Sequence, residues 1–345
     1  MPDVQITGVG GDLLEAEGMQ PIYRVSDFNV IGLFEVLSQL RRLKRIFNEL
    51  VTAVREHQPD LILLVDGPDF NLRFAKAVKG LGIPVIYYVS PQIWAWRPQR
   101  AKTVASLVDH LMVLFSFEQD FYKNYGLSTT WVGHPLVDEL KDDRSREAFF
   151  HEQGFQTDKP LVALAPGSRW SEVKRLLPVM AELAHARQDQ YQFALPLAST
   201  IEKQDVLTLL NGAEVTILPR KMRTLMRHAD AAVVASGTAT LETGLLRTPM
   251  IVGYKLKWLT FLLAKWLVKV PHVALVNIVL GKGVVPELIQ GAFEKEHVLP
   301  LLDELIQVPE RRNQMLEEFD RLESILGGGG ASKRAADVIK GFLTA

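Results

Sequence analysis

No cysteine occurs in the 345 residues of this chain. That excludes a disulfide scaffold, a thiolate metal site and a cysteine nucleophile, and it fits a reducing compartment without proving one. Charge of one sign is also lacking. Lys and Arg number 39 against 40 Asp and Glu, so there is no global field for nucleic acid and any basic function must be local. No apolar run approaches the roughly 20 residues needed to span a bilayer. The longest candidate, Trp258–Val268, is shorter and contains Lys265. The opening stretch MPDVQITGVGG has neither a basic start nor an apolar core and does not read as a signal peptide. Its G-V-G-G is not the G-x-G-x-x-G dinucleotide fingerprint, so a nicotinamide dehydrogenase is not supported. There is no P-loop and no Ser-His-Asp pattern. Without cysteines or clustered His and Asp, no catalytic metal is indicated.

What is present is an alternation of short apolar runs and amphipathic stretches. A hydrophobic content of 48% with 23% charged residues gives a globular chain with ample core, and its length suggests two domains. Val4–Val9 reads as a strand, followed by Gly10-Gly11 and a short helix. Leu33, Val36, Leu37, Leu40, Leu43, Phe47, Leu50 and Val54 recur at three- and four-residue steps, which predicts a helix from about Leu33 to Glu56. Leu61–Val65, Val85–Val89 and Leu111–Phe115 read as buried parallel strands, and Trp131–Pro135 as another strand with its turn. The charged run Lys141–Arg146 marks a linker. Strands at 161–165, 191–196, 214–218, 231–235 and 250–252 then alternate with helices at 171–187, 201–211, 222–228 and 239–246. Gly327–Gly330 breaks the chain before a last helix, Ser332–Leu343. Repeated strand–helix units in both halves predict an α/β protein of two doubly wound domains facing a cleft. Their expected limits are 1–141 and 142–330, with 331–345 a C-terminal helix packing back on the first domain.

Two turns are suited to anions. In LVALAPGSRWSEVKR (161–175) a buried strand ends in Pro166-Gly167-Ser168 and leads into a helix. The helix opening offers unpaired N–H groups and a positive dipole end, and Arg169 adds a guanidinium fork suited to phosphate. Ser236-Gly237-Thr238-Ala239-Thr240-Leu241-Glu242 repeats the arrangement. Glu242 can accept from a ribose diol, or it can simply complement the helix dipole. Two such turns in one domain point to a nucleotide. Asn277, Glu287 and Gln290 offer amide and carboxylate groups for a base or ribose, although Glu287 follows a proline and can equally open a helix.

The acid–base candidates lie in VDGPDFN (65–71). Asp66 stands at a strand's carboxyl end, where open α/β sheets bind ligands, and a partly desolvated carboxylate there can take a proton from a hydroxyl. A plain turn aspartate is the alternative. For Asp69 the reading as a helix cap weighs more. Asn71, Ser90, Trp94, Trp96 and His134 are further cleft candidates. The two tryptophans suit a sugar or acyl chain, or form a packing corner. His134, between glycine and proline, is a hinge residue or a ligand contact.

These residues match a known pattern. GVGG near the start, VDGPDFN, YVSPQIWAWR (88–97), VGHPLVD (132–138), LAPGSRWSEV (164–173), ASGTATLE (235–242), VGYK (252–255) and NIVLGKGVVPELIQ (277–290) together resemble the lipid A disaccharide synthases, over nearly the whole chain. The SGTATLE type of turn is shared with other nucleotide-sugar transferases and discriminates less. The resemblance implies a GT-B fold, lipid A biosynthesis in Gram-negative bacteria, and inverting transfer from UDP-2,3-diacylglucosamine to 2,3-diacylglucosamine 1-phosphate. The product is the β-1,6 disaccharide 1-phosphate plus UDP, with no cofactor and no metal required. It implies Asp66 as base and Arg169 as stabiliser of the leaving UDP. Gly167, Ser168, Ser236, Gly237, Thr238, Ala239 and Glu242 would hold the donor, with Asn277, Glu287 and Gln290 nearby.

Acylated substrates further imply a cytoplasmic enzyme peripheral to the inner face of the membrane. Val30, Ile31, Phe34, Trp258 and Trp266 are the candidate contacts, against their reading as core helix residues. The family begins earlier than this chain, with a strand and a glycine-rich loop that would lie between the Val4–Val9 and Leu61–Val65 strands. The first domain is therefore expected to be N-terminally truncated, with two inner strands lacking a neighbour. Two alternatives accompany the assignment: a non-catalytic UDP- or lipid-binding remnant, and another inverting UDP-sugar transferase.

Overall fold

The structure, a computed structural model, describes residues 4–28, 36–140, 144–258, 261 and 270–344. Twelve strands are present among them: β1 Thr7–Gly10, β2 Gln20–Arg24, β3 Ile62–Val65, β4 Val85–Tyr88, β5 His110–Val113, β6 Thr129–Trp131, β7 Leu161–Ala165, β8 Gln192–Leu197, β9 Val215–Pro219, β10 Ala231–Ala235, β11 Met250–Tyr254 and β12 Glu287–Ile289. Every pairing is parallel. Parallel neighbours require crossover connections, which is why helices separate most of the strands.

The second half is one six-stranded sheet in the order β12-β11-β10-β7-β8-β9. From β7 the chain winds outward through β8 and β9, returns to β10 on the other side of β7, and winds outward again. β7 and β10 thus meet where the winding reverses, and ligands of such sheets bind outside the carboxyl ends of the two strands at that point. Helices cover both faces here, so every residue of β7 and of β10 is buried. That is why both read as unbroken apolar runs rather than as alternation.

The first half forms a four-stranded sheet, β3-β4-β5-β6, and a separate pair, β1-β2. Among the described residues β1 pairs only with β2, and β3 only with β4. One face of β3 is open: Leu63 and Val65 are 40% and 52% exposed. The helix Val36–His57 packs on the helix Pro68–Val78, where Phe47 meets Phe70 and Phe74 edge-on. β2 and β12 are not foreseen from the sequence. β2 is five residues long, contains Pro21 and buries no residue. β12 has three residues directly after Pro286, a position that reads equally as a helix start.

The last helix, Ala331–Leu343, lies against the first half. Phe342 approaches the His110 ring at 5.3 Å, and Asp138 accepts the Gly330 and Ala331 N–H groups. Arg334 donates to the carbonyls of Val132 (2.8 Å), Gly329 (2.6 Å) and Gly327 (3.1 Å). Gly133 makes this crossing possible: at φ +81° it passes so close that a Cβ would stand 2.5 Å from the Arg334 guanidinium and 2.8 Å from the Leu326 carbonyl. Arg334→Ala leaves three carbonyls without their charged donor and is expected to cost about 2–3 kcal/mol, read from the urea midpoint. Arg334→Lys should recover only part, because an ammonium cannot span the three acceptors. An unshifted midpoint for Arg334→Ala would show that the crossing does not depend on this side chain.

Candidate active site

The two anion-suited turns open side by side. β7 and β10 are in parallel register, with Ala165 opposite Val234, so the two strands end within one residue of each other. The helix Trp170–Arg187 begins after the first turn and Thr238–Leu245 after the second. Gly167 has φ +108°, and a Cβ there would lie 2.4 Å from a Glu172 carboxylate oxygen, so the turn admits no side chain. Thr200 donates to the Ser168 carbonyl at 2.6 Å and fixes the next residue. Arg169 precedes the helix; its side chain is 79% exposed, and its guanidinium is bound to Glu172 at 2.9 Å. Glu172 also accepts the Arg169 backbone N–H at 3.3 Å. An internal carboxylate therefore sits where the helix dipole and the guanidinium favour an anion. Tyr254, at the end of β11, has its phenol pushed up by burial first and by the Glu172 charge second.

In the second turn the Ser236 hydroxyl donates to the Val273 carbonyl at 2.6 Å, tying residues 270–274 to the site. Gly237, at φ +142°, precedes the helix, and the opening N–H groups at Thr238 and Ala239 follow it. Glu242 binds the Nε of Arg223 at 2.7 Å, and the same guanidinium reaches Glu139 of the first half at 2.6 Å. Asn277 is fully buried and saturated. It donates to the Val285 carbonyl and Glu287, and accepts from the N–H groups of Val284 and Val285. Glu287 in turn accepts the Val273 and Ala274 N–H groups. Gln290 is occupied by both backbone groups of Leu256. These three side chains shape the loop beside Ser236, since their polar atoms are already engaged by the protein.

Asp66 lies in the first half at the end of β3, in the left-handed region at φ +48°, followed by Gly67 at +53°. A strained turn at a strand end re-aims its side chain. The turn is locked through its own carbonyl, which accepts from Asn71 Nδ2 at 2.6 Å and from the Tyr87 hydroxyl. Burial first, then the Asp66 charge, push the Tyr87 phenol up and keep it a neutral donor. The Asp66 carboxylate itself is exposed rather than partly desolvated. Asp69 does not cap its helix: Gly67 holds the cap position, and Asp69, 88% exposed, lies in the first turn 3.8 Å from Arg100. Trp96 is exposed beneath the Arg97 guanidinium. Trp258 is 67% exposed, whereas Val30, Ile31, Phe34 and Trp266 lie outside the described residues.

Two of the cleft candidates, Ser90 and Trp94, belong to a buried cluster whose other members, Glu118 and Tyr122, sequence reasoning missed. Glu118 is 1% exposed and accepts the Trp94 indole N–H at 3.0 Å and the Phe115 N–H at 3.1 Å. Ser90, also buried, lies 3.1 Å from the Tyr122 hydroxyl. The available signal was the glutamate in the first turn of a helix, three residues past its N-cap residue Phe115. Burial pushes the Glu118 carboxyl from 4.5 up to about 7, against the hydrogen bonds that favour its charged form. His134, buried and accepting the Leu136 N–H at 3.2 Å, is lowered from 6.5 to about 4 by burial. Their effects on stability run oppositely. The folded protein holds the Glu118 proton to higher pH than the unfolded chain, so that contribution is lost as pH rises from 4.5 through about 7. The His134 contribution is present above 6.5 and is lost as pH falls through about 4. Glu118→Gln should therefore gain about 3 kcal/mol relative to the native protein as pH rises across the first window, measured by urea unfolding at each pH. Parallel stability profiles would contradict this assignment.

Comparison with known proteins gives the family and the fold. The sequence profile of the family described as Lipid-A-disaccharide synthetase matches residues 1–330. The lipid-A-disaccharide synthase of Myxococcus xanthus (strain DK1622) is 39% identical over 347 residues, covering 99% of this chain and 91% of that protein. That of Syntrophus aciditrophicus (strain SB) is 41% identical over 341 residues, covering 97% and 89%. Among solved structures, UDP-GlcNAc 2-epimerase from Neisseria meningitidis bound to UDP-GlcNAc superposes with a TM-score of 0.66 at 15% identity, covering 97% of this chain and 99% of the other. The calicheamicin glycosyltransferase CalG4 gives 0.59 at 15% identity, covering 99% and 91%. At such identities these two likenesses concern the fold. The chain belongs to the lipid-A-disaccharide synthase family, glycosyltransferases of the GT-B fold.

Proposed function

We propose that this protein transfers 2,3-diacylglucosamine from UDP to the 6-hydroxyl of 2,3-diacylglucosamine 1-phosphate. It inverts the anomeric centre and releases UDP and the β-1,6-linked disaccharide 1-phosphate. The observation that carries this reading is the register of β7 with β10, which opens two helix N-termini and Arg169 onto one crevice. The diphosphate would lie across both turns, with Gly167 and Ser168 on one side and Ser236–Ala239 on the other. Arg169 would exchange its Glu172 partner for a phosphate oxygen, a stronger and bidentate acceptor. Glu242 would reach the ribose with Arg223 behind it. Stabilisation of charge on departing UDP then falls to Arg169 and the helix openings. Asp66, displayed by its left-handed turn, would take the proton of the acceptor hydroxyl during in-line attack. The halves would divide the labour at the charged run near residue 141, with acceptor and lipid on the first half and donor on the second.

This division has a direct test. Asp66→Asn should bind UDP with native affinity while turnover falls by about two to four orders of magnitude. Arg169→Ala should weaken UDP binding itself, measured by calorimetry. Near-native turnover in Asp66→Asn rules that residue out as the base.

We also propose peripheral attachment to an anionic membrane. No helix among the described residues is long and apolar enough to cross a bilayer. Support comes from the lysines and tryptophans of the 257–269 stretch and the 67% exposure of Trp258. Reversing the charge of Lys257 and Lys265 should reduce co-sedimentation with anionic liposomes and leave that with neutral ones unchanged. Equal sedimentation of both proteins would place the attachment elsewhere.

A further inference from the structure

A cavity of about 460 Å³ lies between the two halves. Trp94, Phe115, Phe117 and Phe121 line it from the first half, and Ile278 and Val279 from the second; among the described residues Ser116 contributes its only hydroxyl. Its size is that of small-molecule sites, about 300–1,000 Å³. Its walls are held open. Trp94 is anchored through its indole N–H to Glu118 and stands edge-on to Phe117 at 5.0 Å, and Phe117 stacks on Phe115 at 5.5 Å. A polar or charged guest would lose its water here without gaining partners, whereas an aliphatic chain would lose nothing.

The position is as informative as the lining. Trp94 follows β4 and Ser116 follows β5, so the cavity opens at the same strand ends from which Asp66 projects after β3. On the other side, the segment that supplies Val270 and Ile278 is tied to the second turn by the bond from Ser236 to Val273. A chain attached to a sugar held between Asp66 and that turn can enter the cavity directly.

We infer that this cavity is an acyl-chain site of the transferase: it receives one fatty-acyl chain of a bound sugar substrate, and Glu118 is the positioning residue that fixes its Trp94 wall. The inference rests on the proposed transfer between acylated sugars, and its test is separable from that reading. Binding is followed first, without turnover, by quenching of tryptophan emission with a dibrominated long-chain fatty acid. The native protein should be quenched saturably. Trp94→Phe should lose most of that quenching, and Val279→Phe, which narrows the cavity while keeping Trp94, should lose it as well. Undiminished quenching in both variants overturns the site.

Turnover is then compared across donors that differ in acyl length. In the native enzyme each methylene removed should lower kcat/KM by about fourfold. Val279→Phe should flatten that dependence and favour the shorter chains, and Ile278→Ala should shift it toward longer ones. Native chain-length profiles in both variants reject the site even if transfer itself is confirmed. Absence of transfer to any acylated acceptor rejects the transferase reading alone and leaves the quenching result to decide the cavity.

Discussion

The pairing of β7 with β10 is the constraint from which the candidate site follows. Two strands distant in sequence lie side by side because the chain winds away from β7 in one direction and returns to wind in the other. Their register, Ala165 opposite Val234, fixes where each backbone leaves the sheet. Small side chains make the sandwich around them thin. Ala163 and Ala165 on β7, and Ala231, Ala232 and Ala235 on β10, are buried with almost no exposure. The helices on either face can then begin close to the strand ends, and their opening N–H groups converge on one crevice. A slip of one residue would reverse which side chains face each layer and separate the turns.

Around this crevice, positive charge is held by internal carboxylates. Arg169 rests on Glu172, and Arg223 rests on Glu242 and Glu139. Such pairs keep cations oriented without burying a net charge, and the exposed one, Arg169 with Glu172, is weak. The first half is arranged differently. Asp66 is displayed by a left-handed turn whose clamps, Asn71 and Tyr87, bind its backbone carbonyl. One half thus offers cations already paired, and the other offers a carboxylate held by its main chain. That asymmetry suits a reaction in which a leaving group gathers negative charge while a nucleophile sheds a proton.

Much of this was legible in the sequence because it is local. The unbroken runs of β7 and β10, the glycine turns and the helices after them are each contained within about 15 residues, and propensity and burial agree there. What was not legible depends on how loops fold back on themselves or meet partners far along the chain. Asn277 and Glu287 look like free polar groups until the loop folds back and engages every one of their polar atoms, ten residues apart. Gln290 looks available until Leu256, 34 residues earlier, takes both ends of its amide. Asp69 reads as a cap because aspartate favours that position, but Gly67 can adopt the left-handed turn and starts the helix two residues sooner. β2 escaped notice because an exposed five-residue strand containing proline has neither alternation nor an apolar run.

The two halves are joined a second time, late in the chain. The chain crosses back at Leu326–Arg334, where the His134 N–H donates to the Leu326 carbonyl at 2.8 Å and Arg334 gathers three carbonyls. VGHPLVD belongs to the first half in sequence, yet its glycine is defined by a residue about 200 positions later. Ile325, immediately before the crossing, also lines the cavity beside Trp94. The separation of Asp66 on one half from Arg169 on the other is therefore set by the same contacts that shape this apolar space. A chain bound there would touch both halves at once, so its binding energy would favour the arrangement in which the two reacting groups approach. Acyl recognition and alignment of the sugars would then be one event rather than two.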